Sequence, residues 1–228
     1  MGKFITGVSI ALVALVGTNS GSIPATALES ISEDFKVTFQ DADVSELVDS
    51  SENSELAQGI LANYLASQDR NLYLNSLDSK QILLLKGALQ VQESFSTFSV
   101  DEMVLPRIST FAVVAPSCYY GTATRWAENT FGGILWKMSV KGTWCGLFDT
   151  VSSPKVVGVY PISTGYLWVA GGLLDKGASI VSNTARIHGQ YQFNLNLGGW
   201  NAQSSYPCLR IKGLVSGSYS ASNSCGPF

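Results

Sequence analysis

Charged residues are scarce in this 228-residue chain, where they make up 14% of the total against about a quarter in an average soluble protein. There is a single histidine, His188, and no run of lysines or arginines. Low charge combined with 22 glycines and abundant serine, threonine and asparagine is typical of a secreted, turn-rich β protein. Because basic residues are scattered, the sequence argues against nucleic-acid binding.

The few charges are unevenly distributed along the chain. Residues 28–100 hold twelve acids and four bases, a net charge of -8, whereas residues 101–228 hold five acids and nine bases, a net charge of +4. The spacing of apolar residues and the cysteine content change near residue 100 as well. We therefore divide the chain into an acidic segment, 28–100, and a second domain, 101–228, and expect opposite charge to favour contact between them.

Apolar runs long enough to span a membrane are missing. The longest, residues 4–16, has about 13 residues, whereas a spanning helix needs roughly 20. This run follows Lys3 and precedes a small-residue site, Ala-Thr-Ala at 25–27, so we interpret residues 1–27 as a signal peptide. The alternative is an uncleaved membrane anchor. No cysteine directly follows the run, which argues against a lipoprotein anchor. We predict a secreted, extracellular protein with no stable membrane span after cleavage.

Cysteine is absent from the first half of the chain. The four cysteines are Cys118, Cys145, Cys208 and Cys225. In an exported chain an even count predicts two disulfides and leaves three pairings open. We favour Cys118 with Cys145 and Cys208 with Cys225, because these pairs close the shortest loops. A zinc site is disfavoured, since the nearest cysteines are 17 positions apart and no CxxC occurs.

Residues 28–100 have mainly helical patterns. We predict a short strand at Phe35–Gln40, a solvated acidic stretch at 41–55 and a helix that begins after a cap at Asn53 or Ser54. The apolar repeat of this helix is Leu56, Ile60, Leu61, Tyr64 and Leu65. A second helix is predicted from Asp78, where Gln81 three residues later completes a capping box. Its apolar face consists of Ile82, Leu84, Leu85 and Leu89, and we expect it to fray near 94–97.

Beyond Met103 the patterns are those of strands and turns. The clearest strand, 132–146, places Trp136, Met138, Val140 and Trp144 on one face and Lys137, Ser139, Lys141 and Thr143 on the other. The strand at 185–199 opposes Ile187, Tyr191, Phe193 and Leu195 to Arg186, His188, Gln190, Gln192, Asn194 and Asn196. Shorter strands are predicted at 108–115, 156–160, 166–170, 209–215 and 217–220. The fold class is therefore α+β: a helical segment followed by an antiparallel β-sandwich or a partly closed barrel.

The order of short motifs in the last 120 residues or so resembles a loose group of secreted β-sheet proteins from Gram-positive, actinomycete-type bacteria. The motifs are Cys118, then Trp144-Cys145-Gly146, an aromatic alternating strand, Tyr206-Pro207, and Gly217-Ser218-Tyr219. The resemblance implies export and β structure. It implies no activity and no catalytic residue.

Candidate chemistry is sparse. A Ser-His-Asp set would have to use His188 with Asp149 or Asp175. Serines are so numerous that the sequence does not indicate which of them would be the nucleophile. We interpret His188 as an ordinary solvent-facing strand residue. The acids Asp101, Glu102, Glu128, Asp149 and Asp175 show no paired spacing, and we expect surface and linker positions for them. Glycine pairs at 132, 171 and 198 end strands without opening helices, so they are turns and not phosphate-binding loops.

Aromatic residues are the most informative feature of the second domain, which contains all five tryptophans. We predict Trp136 and Trp144 to be core residues. Trp200 follows two glycines in a stretch typical of a loop. We therefore name Trp200, Trp168 and Tyr166 as candidate binding residues.

The leading interpretation is a secreted, non-enzymatic β-sandwich that binds a cell-envelope or polysaccharide ligand, without cofactor or metal. A toxin or antimicrobial domain kept latent by an acidic pro-region is the first alternative, with a permanent helical cap as the simpler explanation of the charge division. A secreted hydrolase that uses His188 is the second.

Overall fold

A computed structural model of the chain describes residues 30–44, 47, 51–103 and 115–225. The predicted signal peptide lies outside these residues, as do part of the acidic stretch and nearly all of the predicted strand at 108–115. No helix in the described part of the chain is long and apolar enough to cross a membrane.

The described residues form four helices and nine strands. The helices are α1 (Glu33–Asp41), α2 (Ser51–Ala66), α3 (Arg70–Asn75) and α4 (Ser79–Leu89). The strands are β1 (Glu93–Met103), β2 (Ser117–Glu128), β3 (Ile134–Leu147), β4 (Thr150–Thr164), β5 (Trp168–Val181), β6 (Thr184–Leu197), β7 (Trp200–Ser205), β8 (Cys208–Gly213) and β9 (Tyr219–Ser222).

The strands form two antiparallel sheets. Sheet A has the order β1-β2-β3-β4, and sheet B has the order β5-β6-β8-β9, with β7 paired to β6. The sheets pack in a sandwich-like arrangement, in which the Trp136 ring stacks on the Phe193 ring with centroids 5.1 Å apart. Trp136, Met138, Val140 and Trp144 are all buried, which confirms the predicted inner face of the 132–146 strand. The α+β class is confirmed at this level.

Both predicted disulfides form. Cys118 and Cys145 lie directly opposite each other on β2 and β3 and are bonded. Cys208, at the start of β8, is bonded to Cys225, which follows β9. Each bond closes a short loop and stabilises the fold by restricting the unfolded chain, by about 3 kcal/mol in the loop-entropy estimate.

The predicted strand at Phe35–Gln40 is wrong, because these residues lie in α1. Phe35 and Phe39 are four residues apart, so in a helix both rings reach the same side, and both are buried and stacked. The Ser32 side chain caps the helix by accepting a hydrogen bond from the Phe35 backbone N–H.

The remaining helices differ from the predicted ones at several boundaries. The second helix begins at Ser51, before the predicted cap, and two of its predicted apolar residues, Leu56 and Leu65, are exposed. The short helix α3 was not predicted. By contrast, the capping box between Asp78 and Gln81 is present, and the predicted apolar face of α4 is buried.

The predicted fraying near 94–97 does not occur. β1 begins at Glu93 and pairs with β2 along its whole length, so sheet structure starts before residue 100. In the second domain, β4 continues through Pro161 instead of ending before it. β4 ends the hydrogen-bonded path of sheet A, and a proline is tolerated in a strand that pairs on one side.

The helices pack against the strands through hydrogen bonds as well as apolar contacts. Trp168 Nε1 donates to the Leu89 carbonyl at 2.8 Å, and Asn129 Nδ2 donates to the Ala88 carbonyl at 2.7 Å. These contacts join the end of α4 to the strands, and the buried side chains of both parts belong to one core.

Lys86 is a buried cation inside the helical layer. Its Nζ donates to the carbonyl oxygens of Gln40 at 2.7 Å and Ala42 at 2.5 Å. Burial disfavours the charged amine and lowers the pKa of Lys86 below 10.5, while nearby Asp41 and Asp43 act in the opposite direction.

We expect the unfolding free energy of the protein to rise relative to that of Lys86→Met as the pH increases from neutral toward 10.5. Because the folded state binds this proton less tightly than the unfolded chain does, deprotonation relieves a cost that exists only in the folded state. Urea unfolding at a series of pH values measures the difference. Lys80→Met, at an exposed position on the same helix, is the control. Parallel pH profiles for the protein and Lys86→Met would contradict the expectation.

Candidate binding face

The outer face of sheet A, which is the side turned away from sheet B, presents an ordered grid of side chains. Strand register arranges them in four rows that cross the strands. The rows are Phe95–Trp126–Lys137, Thr97–Thr124–Ser139–Tyr160, Ser99–Thr122–Lys141–Gly158 and Asp101–Tyr120–Thr143–Lys155.

The two middle rows are rich in hydroxyl groups and end on β4 at Tyr160 and Gly158. On β1, β2 and β3 they contain only serine and threonine, apart from Lys141. The first row, with Phe95 and Trp126, and the fourth, with Tyr120, carry longer side chains. Within these rows Thr122 and Thr124 are half-buried, whereas Ser139 is only 3% exposed, so the accessible hydroxyl groups lie on β1 and β2, between the aromatic rings of the other rows.

The Tyr160 ring lies over Gly158. A Cβ atom at Gly158 would come within 2.0 Å of the ring, so the ring occupies the space that any other residue would fill. Tyr160 is nevertheless 47% exposed, so part of its apolar surface faces solvent. The Nζ atom of Lys141 lies 6.0 Å from the ring centre. This arrangement is a flat apolar platform with a cation beside it.

An aromatic pair lies in the first row, at one edge of the hydroxyl rows. The rings of Phe95 and Trp126 stack with centroids 5.7 Å apart, and Lys137 Nζ lies 5.7 Å from the Trp126 ring centre. Trp126 Nε1 donates to Glu128 Oε1 at 2.7 Å, which fixes the orientation of the indole. These contacts fix the positions of the three side chains in the first row, since each packs against the next.

The structure does not bring the three sequence-predicted binding residues together on a surface. Trp168 is only 2% exposed and is held by Leu89, so its prediction as a binding residue is wrong. Trp200 begins β7 instead of lying in a loop, and it is half-buried against the edge of the Phe39 ring. Tyr166 is 45% exposed, with φ of +41°.

A groove of about 750 Å³ lies between the α2–α3 connection and sheet B, where Leu167 forms part of its lining. Its lining includes Gln68, Asp69, Arg70, Leu167 and Asn196. The one aromatic residue in the lining, Tyr64, is buried, and its hydroxyl accepts a hydrogen bond from the Gly198 backbone N–H. The groove has the size of a ligand site but offers no exposed ring.

The prediction that His188 faces solvent is wrong, because the side chain is only 4% exposed. Its Nε2 lies 3.0 Å from Asp175 Oδ2, and its ring lies over Gly177, where a Cβ atom would come within 2.6 Å. Asp149, the other acid considered, lies at a turn where its backbone carbonyl accepts from Asn183. Thus the structure forms one of the two acid–histidine pairs but encloses the imidazole.

Two of the acids that were predicted at surface and linker positions lie in a strand. Asp101 and Glu102 lie on β1 and not in a linker. In the described part of the chain, no group of three or more His, Cys, Asp or Glu residues could hold a metal ion.

Sequence reasoning missed the outer face of sheet A. Phe95, Thr97 and Ser99 have the alternation of a strand, but Phe95 and Thr97 lie in the stretch predicted as a fraying helix end. The spacing of Gly158 and Tyr160 was a usable signal, because residues two apart in a strand share a face. The alignment of four strands into rows could not be predicted in this way, because three irregularities shift the register between β3 and β4.

No family model matches this chain, and no match was found among the curated proteins or the solved structures. The resemblance to secreted bacterial β-sheet proteins therefore stays a prediction.

Proposed function

We propose that this protein is a secreted β-sandwich that binds a polysaccharide of a cell envelope on the outer face of sheet A, without catalysing a reaction. The observation that carries the proposal is the exposed Tyr160 ring, which lies over Gly158 beside two rows of hydroxyl side chains.

The face has the two chemical properties that a sugar chain requires. A pyranose ring has an apolar C–H surface, which packs on an aromatic ring, and a rim of hydroxyl groups, which need hydrogen-bond partners. Tyr160 provides the ring, and Thr122 and Thr124, which are half-buried and fixed in a strand, provide hydroxyl partners. Little conformational entropy is lost on binding, because the groups are already ordered by the sheet.

Export is supported by two disulfides, which are compatible with an oxidising compartment outside the cell. The charged start, apolar run and small-residue site in residues 1–27 support the same proposal. Origin in a Gram-positive bacterium rests on the motif resemblance alone.

Two structural observations argue against the alternatives, which are a latent toxin with a pro-region and a hydrolase. Cleavage of a pro-region near residue 100 would cut inside β1, which is paired with β2 on both sides of that point. A hydrolase that uses His188 would need the imidazole to reach a polymer, and a side chain that is 4% exposed offers little surface for that contact.

Tyr160→Ala is expected to weaken polysaccharide binding at least about tenfold, because it removes the central apolar contact of the face. Affinity electrophoresis against a panel of plant, fungal and bacterial polysaccharides finds the ligand, and isothermal titration measures the loss. Tyr206→Ala, which removes a 53% exposed ring near sheet B, is the matched control.

Three outcomes are informative. Loss of binding in Tyr160→Ala with retention in Tyr206→Ala supports the proposal. Equal retention in both variants overturns the assignment to this face, and loss in Arg70→Ala would then place the ligand in the groove. A protein that binds nothing in the panel but hydrolyses one member would overturn the proposal as a whole.

A further inference from the structure

We infer that the polysaccharide is acidic and that its anionic groups bind Lys137 and Lys141. This inference rests on the proposed function and specifies the class of ligand. It depends on how charge is distributed across the outer face of sheet A.

The charges on this face are separated by sign. The strands β3 and β4 contribute Lys137, Lys141 and Lys155 to the rows. The strands β1 and β2 contribute the acids, which are Glu93 and Asp101 on β1 and Glu128 on β2. One half of the face is therefore cationic, and the other half is anionic.

The lysines and the acids do not pair with each other across the face. In the described residues, the ion pairs within 4.0 Å are Lys36 with Glu33 and His188 with Asp175, both away from this face. The Glu128 carboxylate instead accepts a hydrogen bond from Trp126 Nε1. The ammonium groups therefore lie at the surface without an internal carboxylate to neutralise them.

Both central lysines are held close to aromatic rings. Lys137 lies beside Trp126, and Lys141 lies beside Tyr160. A sugar ring that packs on Tyr160 places the substituents on its rim near Lys141. A carboxylate or sulfate at that position adds the attraction of opposite charges to its hydrogen bond with the ammonium group, which a neutral hydroxyl group does not.

The two lysines also define a direction. They are four residues apart on β3, which corresponds to about 13 Å along the strand. The Tyr160 row lies between the Lys137 and Lys141 rows. A chain that runs along β3 can thus contact the ring and both cations, while the acids on β1 and β2 repel it from the other half of the face.

Matched pairs of polymers test the inference, since each pair shares a backbone and differs in charge. Polygalacturonate and its methyl ester form a carboxylate pair, and dextran sulfate and dextran form a sulfate pair. Titration of the full protein is expected to give at least about tenfold tighter binding to the acidic member of one pair, weakened by added NaCl.

The variant Lys137→Gln/Lys141→Gln is expected to abolish the preference and most of the salt dependence. Lys176→Gln/Lys212→Gln, which removes two cations from sheet B, is the control with the same change in net charge. A preference that persists in the first variant, or is lost equally in both, would overturn the assignment to these lysines.

The remaining outcomes separate this inference from the proposed function. Binding that depends on Tyr160 but is equal for the charged and neutral members overturns the inference alone. Absence of binding to all four polymers and to the polysaccharide panel overturns both. Equally tight, lysine-dependent binding to duplex DNA or to phosphatidylglycerol vesicles would show a general anion surface, and would also overturn the inference.

Discussion

A chain that begins at residue 101 is expected not to fold under conditions in which the full chain does. The truncation leaves only the last three residues of β1 and removes all four helices. It exposes Trp168 and deletes buried residues such as Leu85 and Leu89. Each buried side chain of this size contributes about 1.5–3 kcal/mol, and a whole domain is stable by only about 5–15 kcal/mol. The loss therefore exceeds the stability available.

Far-ultraviolet circular dichroism during heating measures the effect, and a chain that begins at Leu28 is the control. The expected result is a cooperative transition for the control and none for the truncated chain. A cooperative transition in the truncated chain would contradict the single-core description. It would also favour the interpretation of residues 28–100 as a removable pro-region.

Trp144→Ala is expected to lower the unfolding free energy by about 3–5 kcal/mol, as for other large-to-small substitutions in a core. The indole is fully buried between Gly121 and Gly213, where added Cβ atoms would come within 2.9 and 2.3 Å of it. Its Nε1 donates to the Leu214 carbonyl at 3.0 Å, so the substitution also removes a hydrogen bond. The two glycines leave a space that alanine cannot fill.

Thermal unfolding is expected to show a midpoint lower by roughly 10 °C, since 1 kcal/mol corresponds to about 2–4 °C in a domain of this size. Phe148→Ala, at a position that is 77% exposed, is the control and should change stability by less than about 0.5 kcal/mol. Similar midpoints for the two variants would show that Trp144 is not central to the core.

The features that could be predicted from the sequence depend on neighbours close in the chain. The capping box of α4 is a contact between residues three apart. The inner face of β3 follows from alternation within one strand, and the disulfides pair the cysteines that are nearest in sequence. Each of these can be read without knowing how the strands are arranged.

The features that were missed depend on what other strands place beside a residue. His188 alternates with polar residues, yet Gly177 on β5 leaves room for its ring to lie across the sheet. Trp200 follows a glycine turn, yet Phe39 on α1 packs against it. Alternation gives the side of a strand that a residue occupies, but it does not tell whether another element covers that side.

The binding face was missed for the same reason. Its rows exist because β1, β2, β3 and β4 align Phe95 with Trp126 and Lys137, and Ser139 with Tyr160. These residues are distant in sequence, and bulges alter the β3–β4 register. Composition indicated that aromatic residues matter here, whereas only the register shows which of them share a surface.

Binding on the outer face of sheet A is tested most directly by an NMR titration of isotope-labelled protein with a soluble oligosaccharide of the polymer that binds. The largest shifts in amide resonances are expected at Tyr160, Lys141 and their neighbours in the rows of sheet A. Shifts confined to Arg70, Leu167 and Asn196 around the groove would contradict this expectation, and would place the ligand at the junction between the helices and sheet B.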